Sequence, residues 1–483
     1  MEHPTLYKNQ SIVVLGLARS GVSVAKLFHK IGANVIVNDR KERHLAPEAE
    51  ELEQLGIPVI CGYHPENLVT EQTKLLIKNP GIPYTAEPIV KALELGVEVV
   101  TEVEVAYKLS KAPIIGITGS NGKTTTTTVI GELLKEAGLQ PVVGGNIGLP
   151  LCEIAEQVTE NNWIVAELSS FQLKGTTSFK PEIALILNLA ETHLDYHGDM
   201  SDYIESKKKI LSNQDDSDVA ILNWDNPLTR QLQSDVKGRL FPFSIYERLQ
   251  QGVYIEPPFE PIQSGSELPN AAEEASMRSI VYKMEMSDEP QILLPLDQLG
   301  IPGRHNAANA IAAVAAALMA GASPQALIEP LKRVKAVEHR LEYVRELAGV
   351  KYYNDSKATN ATATTMAIQS LSDPIVLIAG GLDRGADYLD LVPIFKKSIR
   401  GIVVLGQTRY KLKAAAEKAG LEHIEIVEPM ESAELTLHEA VLRASRMATA
   451  GDAVLLSPAC ASWDMFTSYE QRGSMFKKSV HTL

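Results

Sequence analysis

The sequence predicts an α/β protein of three domains, each built on a mostly parallel sheet, and three observations carry that reading. Short apolar runs alternate with helical stretches through three successive units of the chain, the mark of strand–helix–strand units. Two glycine-rich turns, residues 16–21 and 116–122, each follow such a run and open a helical stretch. The length also fits about three domains at roughly 100–200 residues each.

In order, residues 11–15 read as a strand, 16–21 as a turn, 22–31 as a helix and 33–37 as a second strand, with further strands at 74–77 and 97–100. A second unit opens with the strand 112–117, followed by the glycine-rich loop and a helix to residue 137. It continues through strands at 163–166, 183–187 and 219–222. From 252 to 290 scattered prolines and acids predict an exposed loop, with one hairpin at 279–284. An Ala-rich helix at 306–320 closes the unit. The third unit carries strands at 350–353, 375–379, 402–405 and 453–456, with helices at 410–419 and 432–448 between them. The expected domains are therefore 1–105, 106–336 and 337–483.

Composition narrows the class. A chain 45% hydrophobic and 22% charged is an ordinary globular one. The net charge of −14 argues against nucleic acid as a bulk partner, which needs a basic face. A local cluster of cations could still receive an anionic small substrate. Three cysteines, Cys61, Cys152 and Cys460, are odd in number and far apart, so no disulfide framework is expected and a cytoplasmic location fits. The first ten residues have no apolar signal core, and the run 310–320 is too short to span a bilayer, so no membrane insertion is expected.

The strongest motif is Gly119-Ser120-Asn121-Gly122-Lys123-Thr124, between a strand and a helix. Glycines there let backbone N–H groups face a phosphate, and the helix N-terminus adds partial positive charge. Lys123 reaches the terminal phosphates and Thr124 ligates Mg²⁺ in such a loop. Five residues separate Gly116 from Gly122, one more than the generic spacing, so the loop is a variant. Glu167 and His193 each follow a strand, at the carboxyl end where open α/β sheets bind ligands, and are candidate Mg²⁺ ligands.

Other motifs leave alternatives open. Gly16-Leu17-Ala18-Arg19-Ser20-Gly21, with Asp39 ending the next strand, is like a dinucleotide turn whose middle glycine is lost. It suits a nicotinamide cofactor, a nucleotide-sugar pyrophosphate or a plain strand–helix turn. Lys207-Lys208-Lys209 reads as a solvated charge run. Asn306 and Asn309 share a helical face, where Asn306 could be a cap. Cys460 has no base tied to it and reads as a packed thiol.

Taken in order, Gly-Ser-Asn-Gly-Lys-Thr, Glu167-Leu-Ser-Ser-Phe-Gln172, Thr192-His-Leu-Asp-Tyr-His197, Gly303-Arg-His-Asn306, His339-Arg340 and Asn354-Asp-Ser-Lys-Ala-Thr-Asn360 give the chain a family likeness. It resembles the ATP-dependent Mur ligases of peptidoglycan synthesis over nearly its whole length. Asp355-Ser356-Lys357-Ala358-Thr359 and Ser457-Pro458-Ala459-Cys460-Ala461-Ser462 are most similar to the motifs of members that add D-glutamate to UDP-N-acetylmuramoyl-L-alanine.

That resemblance implies an N-terminal Rossmann-like domain, a central P-loop ATPase-like domain and a C-terminal Rossmann-like domain. It implies an acyl phosphate made from ATP and then attacked by an amine, with Mg²⁺ as cofactor, in a cytoplasmic monomer. Gly119, Ser120, Asn121, Gly122, Lys123, Thr124 and Thr125 would hold the phosphates, and Asn306, Asn309, Arg340 and Asp355 the rest of ATP. Thr124, Glu167, His193 and a carbamylated Lys207 would serve Mg²⁺, and Asn146 would lie at the acyl phosphate. Gly16, Arg19, Ser20, Asp39, Arg40, Asn79 and Gly81 would hold the UDP part. D-Glutamate would meet Lys357, Thr359, Ser462, Tyr469 and Arg384, the last standing where the family often has lysine. Because these groups fall in different domains, catalysis is expected to need the third domain to close. A nucleotide-gated binding protein and an NAD-dependent oxidoreductase are the alternatives from other classes.

Overall fold

The computed structural model describes residues 1–261, 275–335, 337–369, 371 and 373–483. Their contacts separate into two compact units. Met1–Phe259, Ser279–Leu294 and Ala308–Leu331 form one, and the remaining described residues form the other.

The first unit holds two all-parallel sheets. One has the spatial order Val59–Cys61, Asn34–Asp39, Ser11–Leu15, Thr73–Lys78, Glu98–Val100. Strand order reverses between Ser11–Leu15 and Thr73–Lys78, so the turns after these two strands lie side by side at the switch point. The other runs Arg239–Leu240, Val219–Leu222, Ile183–Ile186, Ile114–Thr118, Trp163–Glu167, Pro141–Gly145. Its switch point falls between Ile183–Ile186 and Ile114–Thr118, which sets the glycine-rich loop beside the segment that begins at Leu187. The central strand Ile114–Thr118 is buried along its whole length, because helices cover both faces of a parallel sheet.

The two sheets share one apolar core, which runs from Ile12, Val14 and Phe28 through Val103 to Leu168, Phe179 and Ile186. Helix Glu102–Leu109 is the joint. Its Glu104 carboxylate accepts the backbone N–H groups of Thr177, Ser178 and Phe179 at 2.9–3.0 Å. Those bonds hold the Glu104 carboxyl below the ordinary range despite burial, which alone would raise it.

A third, smaller sheet has the order Phe243–Ser244, Gly252–Glu256, Ser279–Lys283, Gln291–Pro295. This corrects the expected loop at 252–290. Gly252–Glu256 and Ser279–Lys283 pair antiparallel with each other, so the second is one strand and not a self-contained hairpin. Val253, Tyr254, Ile255, Ile280 and Val281 are buried. Prolines just outside the strands mask the apolar pattern; Pro269 lies outside the described residues. The Ala-rich helix spans Arg304–Met319, and Ala310 to Ala317 are buried as expected. Asn306 is its third residue and not its cap.

The second unit carries a six-stranded sheet in the order Glu342–Leu347, Val350–Asn354, Ala453–Leu456, Ile375–Gly380, Ile399–Leu405, His423–Ile426. Only the edge strand Glu342–Leu347 is antiparallel to its neighbour. The last strand in sequence inserts between Val350–Asn354 and Ile375–Gly380. Three loops at the carboxyl ends, following residues 354, 380 and 456, therefore sit together. Apolar clusters fill both faces of this sheet. The α/β class and the mostly parallel sheets stand as expected.

Candidate active site

The glycine-rich loop is held by its neighbour across the switch point. Asn188 does most of this: its carbonyl oxygen accepts from Ser120 N at 2.9 Å, its Oδ1 accepts from Asn121 N at 2.8 Å, and its Nδ2 donates to Asn121 O at 3.1 Å. Ser120 Oγ lies 2.7 Å from Tyr203 Oη. Gly122 caps helix Lys123–Glu136 at φ 83°, a left-handed conformation that favours glycine, and a Cβ there would overlap Asn309 Oδ1. Asn309 thus packs on the loop, and Thr126 Oγ1 is 3.4 Å from its Oδ1. Lys123 Nζ donates to Gly119 O at 2.8 Å and to Ser120 O at 3.1 Å, so its charge lies over the loop. Thr124 and Thr125 are buried in the first helical turn.

Lys207 contradicts its reading as part of a solvated run. It is 2% exposed, and its Nζ donates to Gly119 O at 2.9 Å and Thr118 Oγ1 at 3.2 Å. Burial, aided by the nearby charge of Lys123 and opposed by Glu167, pushes its pKa well below the ordinary lysine value. Lys208 behaves as a surface cation, pairing with Glu205 and Asp235, whereas Lys209 is half-buried, its Nζ donating to the backbone oxygens of Lys174 and Thr176 and its pKa lowered by burial. The periodicity of helix Met200–Ser212 explains the split, since Tyr203, Ser206, Lys207 and Ile210 form its buried face.

Glu167 ends the strand beside the loop and is buried. Asn146 donates through Nδ2 to Glu167 Oε1 at 2.9 Å and through its backbone N–H to Glu167 O at 2.8 Å. Gly145 precedes it at φ 104°, where a Cβ would stand 2.5 Å from that same oxygen. His193 sits at φ 59° with its ring edge-on to Phe171, centroids 5.0 Å apart. The central sheet thus gathers Lys123, Thr124, Asn146, Glu167, His193 and Lys207 along the carboxyl ends of four adjacent strands.

At the other switch point Gly16 stands at φ 106°, and side chains at Gly16 or Gly21 would overlap Asn79 Nδ2 or Gly16 O respectively. Ser20 Oγ donates to Asn79 Oδ1 at 3.0 Å. Asp39 Oδ2 accepts from Leu17 N at 2.7 Å, so this carboxylate braces the turn itself. Arg19, Arg40 and Gly81 are exposed along the same edge.

In the second unit Asp355 is buried and accepts from Ser457 Oγ at 2.8 Å and Leu341 N at 3.1 Å. Burial raises its carboxyl to about 7, against the pull of Arg340 and Arg472. Lys357 Nζ lies 5.1 Å from the Tyr469 ring centroid and the Arg384 guanidinium 5.1 Å from that of Trp463. Ser462 is buried, whereas Thr359 and Arg384 are exposed. Cys460 is a packed thiol as expected, 3.0 Å from Tyr388 Oη and 3.2 Å from Thr408 Oγ1, with burial pushing its pKa up. All three cysteines are free.

Sequence reasoning missed Arg472. Fully buried in helix Tyr469–His481, it donates from Nε to Ser356 Oγ at 3.0 Å and from Nη2 to Ser356 O and Cys460 O at 2.8 and 3.1 Å. It thereby ties the loops after Asn354 and Leu456 together; an arginine on a polar-looking helix gives no sign of this. Tyr203 was equally silent, since an aromatic on a helix reads as core. Among the described residues one group of three acidic and imidazole side chains lies close enough to share an ion, Glu338, His339 and Glu342. Lys477 bridges its two carboxylates.

A variant phosphate loop at a parallel sheet's switch point, with a buried lysine against it, is the arrangement of a P-loop protein, the class that binds nucleoside triphosphates. The chain matches the Mur ligase MurD-like N-terminal domain over residues 10–101, the Mur ligase middle domain over 117–317 and the Mur ligase glutamate ligase domain over 339–460. It is 44% identical over 483 residues to a UDP-N-acetylmuramoylalanine–D-glutamate ligase of Bacillus cereus, covering all of both chains. The ligase of the same name from Geobacillus kaustophilus is 43% identical over 484 residues, again covering all of both. Among solved structures, the UDP-N-acetylmuramate–alanine ligase MurC of Thermotoga maritima superposes with a TM-score of 0.59 at 18% identity, over 98% of this chain and 99% of that one. MurF of Acinetobacter baumannii gives 0.58 at 16%, over 100% and 93%. The chain belongs to the Mur ligase family, the ATP-dependent ligases of peptidoglycan precursor synthesis. Among the described residues no helix is long and apolar enough to cross a membrane.

Proposed function

We propose that this chain joins D-glutamate to UDP-N-acetylmuramoyl-L-alanine in the cytoplasm, at the expense of ATP. Full-length identity of 44% to ligases bearing that name carries the reading. A carboxylate oxygen of the alanine attacks the γ-phosphorus, ADP leaves, and an acyl phosphate forms. The D-glutamate amine then attacks the carbonyl carbon, loses a proton, and the C–O bond to phosphate breaks to give an amide. Such transfers need charge placed in advance more than covalent help from the protein.

In this scheme Lys123 and the loop 119–125 hold the phosphates, with Asn306, Asn309, Arg340 and Asp355 at the remainder of ATP. Asn146 orients the reacting acyl group. The segment 1–105 takes the UDP part through Gly16, Arg19, Ser20, Asp39, Arg40, Asn79 and Gly81, segment 106–336 takes ATP, and segment 337–483 takes the amino acid. Two cations, Lys357 and Arg384, match the two carboxylates of glutamate, with Thr359, Ser462 and Tyr469 as further contacts.

The donors at the central sheet fit Mg²⁺. Thr124 and Glu167 supply the oxygen ligands that this ion prefers, and His193 adds an imidazole. Lys207 fits once carbamylated. Its depressed pKa favours the neutral amine, whose Nζ attacks CO₂ and releases a proton, leaving an oxygen-bearing carbamate. When bound, Mg²⁺ offsets the charge on the transferring phosphoryl group.

The test is phosphate release from ATP with UDP-N-acetylmuramoyl-L-alanine and a panel of amino acids. D-Glutamate is expected to give stoichiometric phosphate and amide, with its L-enantiomer inactive. Turnover with a different amino acid and none with D-glutamate would refute the assignment, and ATP binding with no acceptor-dependent turnover would favour a nucleotide-gated binding protein.

A further inference from the structure

The turn that carries His193 is braced from behind by a second histidine. His197 ends the short helix Leu194–His197 and its side chain is fully enclosed. Its Nδ1 lies 2.6 Å from Asp202 Oδ2 and its Nε2 3.0 Å from Ser170 Oγ. A carboxylate only accepts, so Nδ1 carries the hydrogen and Nε2 accepts from the serine hydroxyl. The ring orientation is thus fixed at both nitrogens. Asp202 is fixed in turn by Lys174 Nζ, at 2.7 and 2.6 Å from its two oxygens.

Two aromatic contacts of the His197 ring lead to the site. It stacks on Phe171, centroids 5.4 Å apart and planes at 25°, and Phe171 meets the His193 ring edge-on at 5.0 Å. It also meets Tyr203 edge-on, centroids 5.4 Å apart. Tyr203 lies beneath Lys207, whose Nζ is 4.9 Å from its ring centroid, and its hydroxyl bonds Ser120 of the phosphate loop. The His193 turn gains no rigidity from length: a left-handed non-glycine residue opens it and Gly198, at φ 79°, closes it. A residue at positive φ persists only where its surroundings over-determine it, and His197 with its partners supplies that constraint.

We propose that His197 is a positioning residue for the divalent cation, holding His193 through Phe171 and Lys207 through Tyr203 while touching no substrate itself. The proposal rests on the Mg²⁺-binding reading above and is independent of which amino acid is the acceptor. Ser170 and Asp202 are the two groups through which the ring is locked.

Binding of Mn²⁺ to the full-length protein in the presence of a non-hydrolysable ATP analogue, followed by electron paramagnetic resonance, tests it. His197→Ala is expected to weaken Mn²⁺ binding by about 10-fold or more, the usual cost of removing an orienting partner of a metal ligand. His197→Asn, which keeps a donor toward Asp202, is expected to recover most of the loss, and the KM for the amino acid is expected to stay unchanged in both. Mn²⁺ binding by His197→Ala equal to that of the native protein would overturn the proposal. Should that variant not fold, Ser170→Ala removes only the hydroxyl donor to Nε2 and is held to the same criterion: weaker Mn²⁺ binding supports the proposal and unchanged binding overturns it. Absence of Mn²⁺ binding by the native protein would remove the metal reading, and this proposal with it, while leaving the D-glutamate assignment standing.

Discussion

Replacing Lys207 by alanine is expected to lower kcat by about 10²–10³-fold, the range seen when one fixed charge-stabilising group is lost from a transfer site. A short carboxylic acid added to the Lys207→Ala enzyme is expected to return part of the activity. Solvation sets this expectation. An ammonium removed from water needs strong partners, and here Nζ has two neutral oxygens, Gly119 O and Thr118 Oγ1, with Lys123 near enough to oppose its charge. A lysine so placed is a poor structural cation and a good nucleophile toward CO₂. Its carbamate would place an anionic oxygen against the phosphate loop, in place of an amine that burial holds toward its neutral form. Steady-state ligation with formate or acetate titrated into the variant makes the measurement. Unchanged activity in the plain alanine variant would exclude the role.

Lys123→Ala is expected to reduce kcat/KM by a similar or larger factor, about 10³-fold, through kcat more than through nucleotide affinity. The start of helix Lys123–Glu136, with its partial positive charge, remains to hold the phosphates in the ground state, so a nucleotide analogue should still bind. What is lost is a mobile charge that follows the γ-phosphoryl group as it moves. A loss confined to KM would mean that Lys123 serves uniform binding instead. Single-turnover phosphate release, combined with titration of the analogue, separates these outcomes.

The parallel strands and the phosphate loop were legible because their signals are local. Ile114–Thr118 carries three isoleucines in its first four residues, and Gly122 must adopt a positive φ that the sequence announces by placing glycine before Lys-Thr. The strand Ala453–Leu456 falls where the apolar run placed it. The small sheet was not legible, because Gly252–Glu256 and Ser279–Lys283 find each other across a long polar stretch. Pairing at that separation leaves no periodic trace. Lys207 shows the same limit within a site. Three consecutive lysines look alike in sequence, and only the rotation of helix Met200–Ser212 buries Lys207 while leaving Lys208 and Lys209 partly exposed. The resemblance to the Mur ligases singles out Lys207, which is the one of the three that the packing buries. Asn188, Tyr203 and Arg472 act through what they touch in three dimensions, and their residue types carry no sign of it.

In the proposed reaction the γ-phosphoryl group goes to a carboxylate and then leaves with one of its oxygens. UDP-N-acetylmuramoyl-L-alanine labelled with ¹⁸O in both oxygens of its alanine carboxylate tests this in one turnover. Mass spectrometry of the released phosphate is expected to find one labelled oxygen in each, because the C–O bond breaks when the amine displaces phosphate. Phosphate without label, whether or not amide has formed, would contradict that transfer.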